Sequence, residues 1–533
     1  MRTTWALPAL LTAMAVGVGA CSASGPASAG AGERELADGK TFTLALPADP
    51  GNLDPHFTTT GVTVQLDMFL YDSLVSIDSD GQVETGLASS WEETPTEVTY
   101  TLRDGVTCSD GSPLTATDVA ANISFVGNPE NQSTRMGVFV PPGAVAEADD
   151  EAGTVTVTTA VPDAFLARNV GSLPIVCGDG LADRSSLERG AAGTGMYELT
   201  DVVASDHYTL TRREDYAWGP GDFDPDQKGL PETVVVKVVP NESTVANLLQ
   251  TGEVNAAQVL GPDRDRLVSA ELFQRDVVGP LGELVFNEQD GHPGAEEYVR
   301  RALTQGLDLE SVGNVLTSGA GRPSTSMVAP GQGPCTVDSV AGALPGFDAD
   351  AANSALDAAG WAKGDDGIRE KDGKRLSLTL YYSTSYGAPM QAGAELMQQQ
   401  WHELGVDTQL KGAADSEAGA VIIGGQGSWD ATILPLGVTL PSQLVPYLTG
   451  PTPPDGTNFA GIENADYAAH VATASTMAGA AGCEEWAAAE TALFEHLDVV
   501  LFVDSVQPFF GTGTSFELSQ GNVQPASIRM YVE

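Results

Sequence analysis

Between Val98 and Trp401 the hydrophobic pattern changes its period repeatedly, and this restricts what the chain can fold into more than any other feature. Val98, Tyr100 and Leu102 alternate with Thr99, Thr101 and Arg103, the period of two expected of a half-buried strand. Asp104-Gly105 and Asp110-Gly111 then supply turns. Thr115, with Asp118 three residues on, has the spacing of a helix N-cap, and Val119, Ile123 and Val126 follow at helical intervals. The same reasoning marks Thr154 to Thr158, Val234 to Val239 and Leu376 to Tyr382 as strands. Ala352, Ala355, Leu356 and Ala359 share a helical face that stops at Gly360, a residue suited to the left-handed position beyond a helix. Met390, Ala394, Met397, Trp401 and Leu404 make a second stripe ending at Gly405, and Trp486, Ala489, Leu493 and Leu497 a third. The first two stripes read as core packing rather than ligand surface. Strands interleaved with amphipathic helices throughout predict a mixed α/β architecture.

The first residues speak to location. Arg2 gives a thin positive start, and Trp5 to Val18 form an apolar run too short to span a bilayer, the pattern of a secretory signal over residues 1–20. Val18-Gly19-Ala20-Cys21 resembles the lipobox of bacterial lipoproteins, which implies diacylation of Cys21 and cleavage before it; an ordinary secretory cleavage site is the alternative. Ser22 to Asp38 is rich in Ala, Gly and Ser, so residues 21–40 read as a lipidated cysteine with a flexible tether. The remaining residues, about 495, are enough for two or three domains. No later window is long and apolar enough to cross a membrane, so contact with the membrane is expected through the lipid alone.

With 25 Lys+Arg against 72 Asp+Glu, the formal charge of −47 argues against nucleic acid or anionic lipid as a partner, since both need a basic patch. Setting Cys21 aside leaves Cys108, Cys177, Cys335 and Cys483, an even number that suggests two disulfides in an oxidising compartment, with three pairings possible. None has CxxC spacing, and the six histidines are scattered without an HxxxH pair, so neither a metal site nor a cofactor is expected. Gly190-Ala191-Ala192-Gly193-Thr194-Gly195 lacks both the GxGxxG order and a P-loop lysine, and no GxSxG elbow occurs. Asp78-Ser79-Asp80-Gly81 lacks the remaining ligands of a calcium loop and reads as a β-turn, as does Asp365-Asp366-Gly367. No catalytic constellation is found, and the expectation is a protein that is not an enzyme. The Pro/Gly-rich stretches Gly319 to Pro334 and Thr449 to Gly456 are expected to be long loops of the sort that border clefts.

Several motifs in fixed order narrow the class. Leu87-Ala88-Ser89-Ser90-Trp91-Glu92, Tyr100 to Val106 and Asp110 to Val119 resemble the signature of family 5 extracellular solute-binding proteins, the peptide, nickel and oligosaccharide receptors of ABC importers. Gly193-Thr194-Gly195-Met196-Tyr197, Leu210 to Tyr216, Phe286-Asn287 with Val299 to Leu303, and Ala358 to Trp361 with Asp366 to Arg369 resemble later motifs of the same family. The resemblance implies two α/β lobes joined at a hinge: lobe I at 41–285 plus 506–533, with an accessory subdomain about 80–192, and lobe II at 286–505. It also implies the pairings Cys108 with Cys177 and Cys335 with Cys483, because any other would bolt one lobe to the other and oppose closure. The implied ligand contacts are His56 and Tyr71 on the first lobe, with Tyr382, Tyr386, Trp429 and Asn458 on the second; Trp91 is expected to be structural. A monomer that captures a small peptide and hands it to a permease follows from the same resemblance. Two departures bear on the ligand. Leu434 to Val445 carries no carboxylate where peptide receptors of the family hold the peptide amine, and Thr384 or Ser385 stands where dipeptide receptors carry an arginine. An uncharged, capped or non-peptide solute such as an oligosaccharide or metal chelate therefore stays open, as do a sensory lipoprotein without transport and a surface hydrolase.

Overall fold

The computed structural model describes residues 34–532, apart from 59 and 191. The signal segment and Cys21 lie outside the described residues. Among those that are described, no helix is long and apolar enough to cross a membrane.

One ten-stranded mixed sheet runs through the whole molecule, in the order Asp407–Ala413, Ser377–Ser383, Ala431–Ile433, Phe273–Phe286, Val499–Gly511, Ala256–Gln258, Thr41–Leu46, Thr233–Val238, His207–Arg212, Tyr197–Val203. Each half of the sheet holds a parallel pair, Thr41–Leu46 with Thr233–Val238 and Ser377–Ser383 with Asp407–Ala413. Parallel neighbours need a crossover, and the Gly387–Leu404 helix supplies the second of these. Its buried residues Met390, Ala394, Met397, Trp401 and Leu404 lie at the spacing read from the sequence, and Gly405 closes it at φ 90°. Trp401 is fully buried and donates its indole N–H to the Leu303 carbonyl at 2.9 Å.

In the middle, the sheet narrows to two long antiparallel strands, Phe273–Phe286 and Val499–Gly511. Their register slips at Pro280, Gly282 and Glu283, opposite Asp504 and Val503, a bulge that bends and twists the ribbon at its midpoint. Pro280 has no N–H to give to a ladder, which explains why pairing yields there. The expected lobe limits, 285/286 and 505/506, both fall on this pair of strands.

Hydrophobic residues gather on either side of the ribbon. One large cluster unites Phe42, Phe69, Tyr100 and Leu210 with C-terminal Phe516 and Ile528. It includes the accessory four-stranded sheet of Ala88–Thr94, Glu97–Leu102, Thr154–Thr158 and Val145–Asp149. The Ala116–Gly127 helix packs on that sheet, and the Thr115/Asp118 capping box is formed in full. Trp91 is half-buried against this core. Two further clusters lie on the other side, one around Trp401 and Phe286, the other around Trp429, Phe459 and Trp486. Cys108 is bonded to Cys177 and Cys335 to Cys483, so each bridge stays on one side of the ribbon.

Candidate functional site

Two adjoining cavities lie near the junction, the inner one walled by the first side alone and the outer one opening between the two sides. The inner one, of about 170 Å³, is walled by the end of the Gly61–Leu70 helix, the 135–139 turn, the Tyr216–Pro220 loop and the C-terminal residues 519–526. The outer one, of about 260 Å³, opens between residues 138–172 and residues 437–443 of the opposite side. Phe139, Ser172 and Gln520 line both, so the cavities form one recess with a narrowing.

The family-like GTG turn builds the inner wall. Gly195 N–H donates to the Leu70 carbonyl at 2.9 Å, and Thr194 Oγ1 accepts from Asp72 N–H. A Cβ on Gly193 would come within 1.9 Å of the Leu70 carbonyl oxygen, so only glycine allows this approach. The turn thereby fixes Tyr71 and Asp72 on the cavity wall. Asp72 is half-buried and accepts from Trp218 Nε1 (2.9 Å) and the Tyr216 hydroxyl (3.2 Å); loss of water around it outweighs these bonds and raises its carboxyl to about 7. Asp67, also on the wall, is pushed well above the usual carboxylate range by burial.

The opposite rim comes from the C-terminus. Gln65 and Val523 exchange hydrogen bonds, Nε2 to the Val523 carbonyl (3.1 Å) and Val523 N–H to Oε1 (2.7 Å), docking a hairpin on the helix. Its strands Leu518–Ser519 and Asn522–Val523 are joined by Gln520 and Gly521, at φ 46° and 81°, the left-handed pair that a two-residue hairpin turn requires. This places Gln520 at the narrowing.

Arg168 spans the outer cavity. It is 5% exposed, has no carboxylate partner among the described residues, and donates to the Thr439 carbonyl at 2.9 Å and the Gln332 carbonyl at 2.6 Å on the other side. Gln82 reaches the Pro334 carbonyl, and Phe165 stacks on Trp486 with centroids 6.2 Å apart. The Gly319 to Pro334 stretch thus borders the recess, while Thr449 to Gly456 lines neither cavity.

The six residues expected to touch ligand are scattered. Tyr71 lines the inner cavity. His56 is fully buried instead: it stacks on Phe125, its Nε2 lies 3.1 Å from the Pro174 carbonyl, and burial with nearby Arg184 brings its imidazole down to about 3. Its loop acts from behind the wall, since the carbonyls of Pro55 and His56 accept from Arg135 Nε (2.9 Å) and Ser133 Oγ (2.6 Å). Trp429 packs inside against Phe459. Asn458, 1% exposed, donates to the Gly450 and Ile462 carbonyls and accepts from the Gly461 and Ile462 N–H groups, a loop-bracing role. Tyr382 is buried with the Trp401 cluster, and Tyr386 stands 46% exposed away from both cavities. Asp67, Arg135, Phe139, Ser172 and Gln520 carried no sequence signal as a set, because the segments that supply them lie up to about 450 residues apart. The Gln520-Gly521 turn was the one local clue. Among the described residues no group of three or more His, Cys, Asp or Glu side chains could hold a metal ion.

A sheet shared by two packed bodies, with a recess at their junction, is the arrangement of a two-lobed solute-binding protein. The chain belongs to the bacterial extracellular solute-binding proteins, family 5, whose model matches residues 82–449. It is a binding receptor of the kind that serves ABC importers, not an enzyme. Protein XP55 of Streptomyces lividans is 29% identical over 408 residues, 72% of this chain and 68% of its own. The oligopeptide-binding protein OppA of Bacillus subtilis is 24% identical over 62% of this chain and 64% of its own, just under two thirds. Among solved structures, a substrate binding protein from Microbacterium hydrocarbonoxydans complexed with 4-hydroxybenzoate hydrazide matches with a TM-score of 0.63 and 26% identity, over 92% of this chain and all of that one. The unliganded open form of the murein tripeptide binding protein MppA shares the fold, with a TM-score of 0.75 at 18% identity over 94% of this chain and 99% of that one.

Proposed function

We propose that this receptor is a lipid-anchored monomer that captures a short peptide in the recess between its lobes and delivers it to an ABC importer permease. The observation that carries the reading is the recess itself, closed on both sides by groups from opposite lobes that only two continuous strands connect. Bending at the Pro280 to Glu283 bulge would part Arg168 from Thr439 and Gln332, and a ligand touching both walls would hold them together. Tyr71 and Phe139 supply apolar area on the lobe I wall, and Gly437 to Thr439 supply backbone groups from lobe II. Peptides are named in the relatives OppA and AppA, and glutathione in GsiB. A second reading, a small aromatic solute, is favoured by Tyr71, Phe139, Tyr216 and Trp218 around the inner cavity and by the hydrazide bound to the Microbacterium protein.

Thermal unfolding of the full chain against di- to octapeptides, aromatic acids and hydrazides, oligosaccharides and metal chelates tests both. A ligand at 100 times its dissociation constant adds about 2.7 kcal/mol, a readable rise in Tm. Peptide-only shifts support the first reading, aromatic-only shifts the second, and silence across the panel sinks both.

A further inference from the structure

Three short pieces of lobe II reach across to lobe I, and one covalent bond joins two of them. The first is a strap, residues 331–334, within a run from 317 to 348 that holds no helix or strand. Its Gln332 carbonyl takes Arg168, and its Pro334 carbonyl takes Gln82 Nε2 at 3.3 Å. The strap lies so close to the Asp78-Ser79-Asp80-Gly81 turn that a Cβ on Gly81 would fall 2.4 Å from the Gly333 carbonyl oxygen. The second piece, residues 479–486, donates Gly479 N–H to the Ala164 carbonyl at 2.6 Å and stacks Trp486 on Phe165. The third, residues 437–439, offers the Thr439 carbonyl to Arg168. Cys335 directly follows the strap, Cys483 lies within the second piece, and the two are bonded. Glu490 fastens the run on either flank, accepting from Met327 N–H (3.2 Å) and Ser339 Oγ (2.6 Å), so between these two points the disulfide is the covalent tie. Both cysteines are half-buried and line one small crevice beside Val337 and Ala487, whereas Cys108 and Cys177 are 1% and 3% exposed.

We propose that Cys335–Cys483 is a thiol-exchange site whose disulfide clips the lobes together, and that its reduction by a small external thiol frees the strap and lets the lobes part. The assignment rests on the receptor reading only in that parting the lobes would empty the recess. In the first step a thiolate attacks one cystine sulfur, and the Sγ–Sγ bond breaks with its electron pair leaving on the other sulfur, which takes a proton. A second thiolate then attacks the mixed disulfide, releasing the second cysteine as a thiol and the two small thiols as their own disulfide. A segment without helix or strand opens locally at low free energy once its covalent tie is gone. The Cys108–Cys177 bridge stays inside the accessory subdomain and reaches no junction contact, so the two bridges form an internal comparison.

Timed incubation of the full native chain with dithiothreitol tests this, with alkylation and mass spectrometry reading each cysteine pair and hydrogen exchange reading the junction in the same samples. Cys335 and Cys483 should be alkylated about tenfold faster than Cys108 and Cys177. Once that pair alone is reduced, peptides spanning residues 78–82 and 478–486 should exchange about fivefold faster, while the peptide over the Ser377–Ser383 strand stays unchanged. Cys335→Ser combined with Cys483→Ser should reproduce the faster exchange without reductant; if that variant fails to fold, the timed reduction decides by itself. Equal alkylation rates for the two pairs overturn the exchange site, and junction protection that survives reduction overturns the clip. Either result leaves the receptor reading in place, since the ligand panel decides that separately.

Discussion

A carboxylate cluster in lobe II and a single carboxyl in lobe I are buried to similar depth and treated in opposite ways. In lobe II, Arg300 lies between Glu288 and Asp498, 2.9 Å from each, and donates also to the Gly294 and His496 carbonyls. Asn464 completes Asp498 at 2.7 Å, and the group ties the Glu297–Gln305 helix to the turn before the Val499 strand. In lobe I, Asp67 is just as buried and has no donor to its carboxyl among the described residues. A paired buried charge holds elements together, whereas burial keeps an unpaired carboxyl protonated. The contrast separates a braced group from an unbraced one within one fold.

Removing the shared cation should produce the largest effect. Arg300→Met strands two carboxylates inside lobe II and should lower unfolding free energy by about 3–5 kcal/mol, read from denaturant titration. A loss under about 1 kcal/mol would erase the distinction between the lobes. Next comes acidity at the hinge. Burial raises Glu490 to about 7 and Glu283 to about 8, above their ordinary value of 4.5, so the folded chain holds protons that the unfolded chain releases. Their contribution is fully present below about pH 4 and lost as pH climbs to about 8, so stability should fall by several kcal/mol between pH 5 and pH 8, and Glu283→Gln should flatten part of that slope. Asp67→Asn should go the other way from Arg300→Met, raising stability by about 1 kcal/mol at pH 8, because burial holds the folded Asp67 carboxyl protonated while the unfolded chain releases the proton. A decrease would mean that Asp67 has a partner the comparison denies it. Smallest in stability is Arg168→Gln, within about 0.5 kcal/mol, since the Thr439 and Gln332 carbonyls can turn to water in the cleft. Its signature should be a larger radius of gyration in X-ray scattering of the ligand-free chain.

Local rules made much of the frame legible. The Thr115/Asp118 box, the Met390 to Leu404 stripe and the turns at Gly81 and Gly367 all follow from interactions within a few residues, and each is present. The mixed architecture followed from the alternation of periods. Most of the recess did not follow, for a physical reason. Aromatic and amide side chains serve equally to pack a core and to meet a ligand, so His56, Trp429 and Asn458 gave no sign that their environment was the interior. Burial is decided by distant segments: Phe125 covers His56, and the loop from Gly450 to Ile462 folds over Asn458. The adjoining Gly193 to Gly195 turn fixes Tyr71 on the inner cavity wall, whereas Asp67 and Arg135 come together only through tertiary structure.

The reciprocal bonds between Gln65 and Val523 also bear on how the chain is made. They join partners 458 residues apart, so the rim carrying Gln520 cannot close until Val523 has been made. Most of the second lobe, between residues 287 and 498, is a continuous insert that can condense while the last strand of the first is still absent. The expected order of assembly is therefore inverted relative to the sequence: the middle matures first, and the recess forms last. A truncation that removes only residues 518–533 should leave a chain with an intact second lobe, an incomplete first lobe and no capture. In such a topology the slow, high-contact-order step in folding and the acquisition of function are one event.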